Sequence, residues 1–140
     1  MPRKNVFGIS PGYYRVLKSR EQNRLGRANE DRTWAVLSRL MGSMEKPEWL
    51  KSVRRATFSE DRYLATDFVI ETNDIGPIFL NVKSSEWYAD RFNNKRRSRR
   101  VVAVIMDAVL AADEYAAEDF ILDVLWGEYK SIRTLRGDEI

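Results

Sequence analysis

At 140 residues the chain is long enough to bury one core and too short for two ordinary domains. It has no cysteine and no histidine, which excludes a disulfide framework, thiolate chemistry and the usual zinc ligands, so any metal is a hard ion held by oxygen. The net charge of +3 hides an asymmetry, with seven basic and one acidic residue in Met1–Asn29 against three basic and eight acidic in Ala111–Ile140.

If the basic segments share a surface, a polyanion such as a nucleic acid is its natural partner; otherwise that surface is a solubilising one. A general base must be a carboxylate, lysine, tyrosine or bound water. No signal-peptide segment follows the basic opening residues, and no run approaches the roughly 20 apolar residues of a membrane span. A soluble, cytoplasmic protein with no membrane partner is expected.

Gly8, Pro11 and Gly12 mark an irregular lead-in, so residues 1–19 read as a basic N-terminal arm and residues 20–140 as a single α/β domain. From about Arg20 to Met41, Leu25, Ala28, Ala35, Val36, Leu37 and Leu40 form a helical apolar stripe that Gly42 and Ser43 stop. Gly26 interrupts it and marks either close packing or a later helix start. PEWLKSV, after Lys46, reads as a turn or connector, and Arg54–Phe58 as a short strand.

Thr66–Thr72 is a stronger strand, with Asp67, Val69 and Glu71 on one face. Asn73, Asp74, Gly76 and Pro77 are turn formers, after which IFLNVKSS resumes strand character. A fold-back centred near Asp74 sets Asp67 across from Asn81, about 5 Å apart at Cβ, with Lys83 diagonally close on the same face. The polar segment Glu86–Arg100 reads as a basic loop leading into VVAVIM, expected to be a central strand. Ala117, Ile121, Val124 and Leu125 define a covering helix over Ala111–Arg133, whose early acids and late Lys130 and Arg133 suit the helix dipole. The four tryptophans, Trp34, Trp49, Trp87 and Trp126, read as core or core-edge groups, with a nucleic-acid contact as the alternative for Trp87. The order of elements predicts an α/β fold, a mixed central sheet with flanking helices.

In this order the residues resemble the core of the PD-(D/E)xK nuclease superfamily, particularly its small resolvase-like and restriction-endonuclease-like members. Asp67 matches the first acid, Asn81 occupies the usual second-acid position, Val82 is the intervening residue and Lys83 matches the lysine. Glu30, in GRANEDR, matches the glutamate that the family often adds from its first helix. The likeness runs from about Arg20 to Trp126 and implies a restriction-endonuclease-like core.

It also implies a metal-dependent endonuclease acting on DNA, with branched or nicked substrates if the resolvase likeness extends that far. Glu30, Asp67, Asn81 and Lys83 would be its catalytic residues. Mg²⁺ or Mn²⁺ would be held by Asp67, Glu30, Asn81 and the Val82 carbonyl, and oxygen ligands suit such hard ions. Because Asn81 brings no charge, Glu30 is expected to compensate, with Glu71 as the alternative acidic ligand. A lysine titrating near 10.4 is cationic at neutral pH, so Lys83 is expected to orient and stabilise charge. Ser84, Ser85, Arg91, Lys95, Arg96, Arg97, Arg99 and Arg100 are expected to position backbone phosphates. A symmetric homodimer would serve two strands. The competing reading is an inactive nucleic-acid-binding or protein-interaction module on the same scaffold.

Overall fold

The computed structural model describes residues 11–96 and 100–135, with side chains from residue 24 onward. Pro11 opens the first helix, α1 (Pro11–Met41), where its fixed φ and missing N–H suit a first turn. The helix therefore begins before Arg20 and takes in residues 11–19 of the expected arm. Gly26 neither delays nor ends it, and a Cβ there would meet nothing within 4 Å, so close packing does not explain this glycine.

The first strand, β1 (Leu50–Arg55), starts inside the expected connector, because Leu50 is fully buried in the core. The expected strand at Arg54–Phe58 breaks off where α2 (Phe58–Leu64) begins. Thr57 accepts from the Glu60 N–H while the Glu60 carboxylate accepts from the Thr57 N–H, a reciprocal cap that favours a helix start over strand continuation. Ala65, in the left-handed region at φ 50°, ends α2 and turns the chain into the hairpin.

That hairpin has the expected register. Phe68 of β2 (Phe68–Thr72) faces Leu80 of β3 (Pro77–Lys83), and Val69 faces Phe79. The paired residues end at Phe68 and Leu80, and beyond them the Asp67 N–H bonds the Leu80 carbonyl. Gly76, at φ 82°, supplies the turn conformation that an L side chain resists.

Where a basic loop was expected, Ser85 caps a further helix, α3 (Glu86–Lys95), by accepting from the Tyr88 N–H. The next strand, β4 (Val101–Ile105), runs parallel to β3 in a sheet ordered β1-β2-β3-β4. It is an edge strand, not a central one. Its outer edge is covered by Asn93 of α3, whose amide accepts from the Ala103 N–H at 2.8 Å and donates to the Ala103 carbonyl at 3.3 Å. That cover lets an edge strand remain apolar on both faces. A short helix, α4 (Ala108–Ala112), precedes α5 (Glu114–Leu135).

The result is a mixed α/β fold, a four-stranded sheet flanked by helices. On one face, Phe68, Ile70, Ile78, Leu80, Val102 and Val104 pack with Val36, Leu37 and Leu40 of α1 and with Ile121, Leu125 and Ile132 of α5. Each such side chain contributes about 1.5–3 kcal/mol on full burial. The sheet positions of opposite parity include Val69 and Ala103, which are also buried, and α3 contributes the buried Ala89 and packs on β3 and β4. Glu71, Asn81 and Lys83 share that parity, so this face mixes apolar and polar groups, as expected, with Val69 itself buried.

Arg96, at the C-terminus of α3, donates to Glu128 of α5 at 2.8 Å and to the Val101 carbonyl at 3.2 Å. Both charged side chains are nearly buried, at 13% and 12% exposure. Removing one partner strands the other's charge, so Glu128→Ala should cost about 3–5 kcal/mol in urea unfolding. Lys95→Ala, one residue away and exposed, should stay within about 0.5 kcal/mol; equal losses for the two variants would remove the brace from the account of stability.

Candidate metal and nucleic-acid site

The site is built where the β2–β3 ladder runs out. Asp67 precedes β2 by one residue; its own N–H still donates to the Leu80 carbonyl at 2.8 Å, while its Oδ2 accepts from the Val82 N–H at 2.7 Å. A strand residue turns its N–H and C=O to the same side, so the Val82 carbonyl also faces the Asp67 edge.

α1 delivers Glu30 to this edge, where it hydrogen-bonds Asp67. Burial, then the Asp67 charge and the hydrogen bond to it, push the Glu30 carboxyl up to about 7, with Asp61 adding and Arg55 opposing. Burial also raises Asp67, against the Val82 N–H, the hydrogen bond from Glu30 and the charge of Lys83. Burial beside one another thus holds both carboxyls above their ordinary range.

Asn81 is 7% exposed, and its Nδ2 donates to the Ala65 carbonyl at 2.6 Å. This bond ties the left-handed corner after α2 to β3. An aspartate in the same pose would set two acceptors against each other. The other amide atom, Oδ1, is buried without a protein partner.

Lys83 stands with its ammonium 5.2 Å from the Phe92 ring centre. It lines a cleft of about 370 Å³ together with Leu25, Gly26, Glu30, Ser84 and Tyr88. α1 forms one wall, and the end of β3 with the start of α3 forms the other. Glu30, Asp67, Val82, Lys83 and Ser84 are thus brought together.

Other expected residues lie elsewhere. Glu71 pairs with Ser52 and Pro77 at the turn end of the hairpin, about 13 Å along the strand from Asp67, and its charge acts on Arg54. It cannot replace a ligand beside Asp67. Ser85 is a helix cap, and Arg91 lies 5.1 Å over the Trp87 ring. Lys95 faces a separate hollow on α3. Arg96 is engaged by Glu128, and Arg100 donates to the Pro77 carbonyl at 2.9 Å, so neither is a spare phosphate ligand. Arg97 and Arg99 lie outside the described residues.

Three residues near the site carried no functional expectation: Asp61 on α2, Gly26 and Tyr88. The Thr57–Glu60 cap was the available signal for α2 and hence for Asp61. Gly26 stands four residues before Glu30, the spacing of neighbours on one helix face. Among the described residues, no group of three or more His, Cys, Asp or Glu side chains forms a metal cluster, and no helix is long and apolar enough to cross a membrane. No known protein family, curated protein or solved structure matches the chain.

The raised Glu30 fixes the sign of a pH effect. Between its ordinary value of 4.5 and about 7, the folded chain keeps a proton that the unfolded chain releases, so stability falls as pH rises through that window. Glu30→Gln should flatten this slope in chelator, leaving the part that the raised Asp67 contributes. After allowing for solvent screening of a half-buried group, it should gain on the order of 1 kcal/mol at pH 8 and nothing at pH 4. Parallel pH–stability curves for the two proteins would show that Glu30 is not raised. Asn81→Asp should lose about 1–3 kcal/mol in chelator through the Ala65 contact; melts showing unchanged stability would place that amide elsewhere.

Proposed function

We propose that the chain is a metal-dependent endonuclease of the PD-(D/E)xK kind, with a restriction-endonuclease-like core, hydrolysing DNA phosphodiester bonds in the cytoplasm. The observation that carries this reading is the convergence of Glu30 with Asp67, which the Val82 N–H holds, on the cleft that Lys83 lines.

The donor set suits Mg²⁺ or Mn²⁺: two carboxylates whose mutual repulsion a cation would relieve, the Val82 carbonyl on the same edge, and the Oδ1 of Asn81, the residue before Val82, which has no partner among the described residues. Held there, such an ion would supply polarisation of a phosphoryl oxygen and acidification of water. Glu30 must first give up its proton. Asp67 is kept in place by Val82 whether or not Glu30 is ionised. Lys83, cationic and braced by Phe92, is positioned to orient a phosphate and to stabilise negative charge that builds on it. Asn81 holds the corner on which Asp67 sits. A two-fold homodimer would present one such site to each strand of a duplex.

The test uses labelled duplex, single-stranded and four-way-junction DNA with Mg²⁺, Mn²⁺ or EDTA. Wild-type protein should cut only with metal, and Asp67→Ala and Lys83→Ala should each slow cutting at least about a hundredfold. Tight, salt-sensitive binding without cleavage on every substrate would instead identify an inactive nucleic-acid-binding module.

A further inference from the structure

Beside the cleft, α3 exposes side chains that the fold does not use. Trp87 and Tyr88 are 59% and 54% exposed, and their rings meet edge to face with centres 4.8 Å apart. The Arg91 guanidinium lies 5.1 Å over Trp87. Next to them is a hollow of about 340 Å³ lined by Lys83, Tyr88, Arg91, Phe92, Lys95 and Arg96. That volume is at the lower end of ordinary ligand pockets, about 300–1,000 Å³.

Among the described residues, none that lines it is acidic. With Arg96 taken by Glu128, Lys83, Arg91 and Lys95 are left to face an anion, while Tyr88 and Phe92 offer aromatic surface. Lys83 and Tyr88 also line the cleft over Glu30, so the hollow adjoins that cleft across these two side chains. A base inside a duplex has both faces stacked on its neighbours. An unpaired base has a face to give, and aromatic side chains beside cations are the surface that takes it.

We propose that this hollow binds an unpaired nucleotide of the DNA strand, its base stacked on the α3 aromatics and its phosphate met by Lys83, Arg91 and Lys95. The substrate class is then DNA with a single-stranded stretch next to the cut, such as a flap, gap or junction. The placement beside a scissile phosphate rests on the nuclease reading; the binding itself does not.

The experiment measures fluorescence anisotropy of the full chain in EDTA with a labelled single strand, the same strand carrying central abasic residues, and the matching blunt duplex. Wild-type protein should bind the intact strand roughly tenfold tighter than either the abasic strand or the duplex. Tyr88→Ala should weaken the intact strand by roughly tenfold while leaving abasic binding and melting temperature unchanged. Lys95→Ala should weaken the intact and abasic strands alike and lessen the salt dependence. Equal wild-type affinity for intact and abasic strands overturns the proposal, as does an equal loss on both for Tyr88→Ala. Metal-dependent cutting without base-dependent binding leaves the nuclease reading standing and removes this one. Base-dependent binding without cutting does the reverse.

Discussion

The hydrogen bond from the Val82 N–H to Asp67 is made where the β2–β3 ladder has no further backbone rung to offer. A carboxylate takes the place of a strand neighbour and is thereby fixed to the backbone. Everything assembled around it depends on this registry: Glu30 reaches Asp67 because α1 packs against β3, and Lys83 stands one residue beyond Val82. A slip of one residue would turn these groups to opposite faces. The apolar pairs behind them, Phe68 with Leu80 and Ile70 with Ile78, oppose that slip because it would turn them out of the core and bring Glu71 and Asn81 into it.

The basic residues divide into two populations with different work. Arg96 and Arg100 spend their hydrogen bonds inside the molecule, on Glu128, Val101 and Pro77, and so hold α3 and β4 against α5 and β3. Lys83, Arg91 and Lys95 stand on the α3 side with aromatic rings among them. The first group supports the surface on which the second is displayed. A count of positive charge along the sequence cannot separate the two.

What was legible in the sequence was local. Asn73, Asp74 and Gly76 set the fold-back, and the alternation of Phe68 and Ile70 set its phase, so the register that brings Asp67 to the end of β3 followed. Running the expected strand on to Phe58, with no element assigned after it, overlooked the Thr57–Glu60 cap, and reading α3 as loop gave weight to its charges over the Ser85 cap. β4 looked central because it is apolar throughout; its cover comes from Asn93, on a helix that had not been recognised. The partners of Arg96 and Arg100 are distant in sequence, and no local pattern announces them. Asn81 looked like a carboxylate with its charge removed, yet its amide supplies the donor that the left-handed corner at Ala65 needs. A recognition pattern built on metal ligation is blind to that requirement.

The open space at Gly26 sets two demands on one position. A side chain there would stiffen the long helix, since glycine is among the poorest helix formers and no steric clash stands in the way. The same side chain would project into the mouth of the Glu30 cleft, which Gly26 lines. Helix strength and passage to the carboxylates are therefore opposed at residue 26, and variants selected for thermal resistance would be drawn toward closing the entrance.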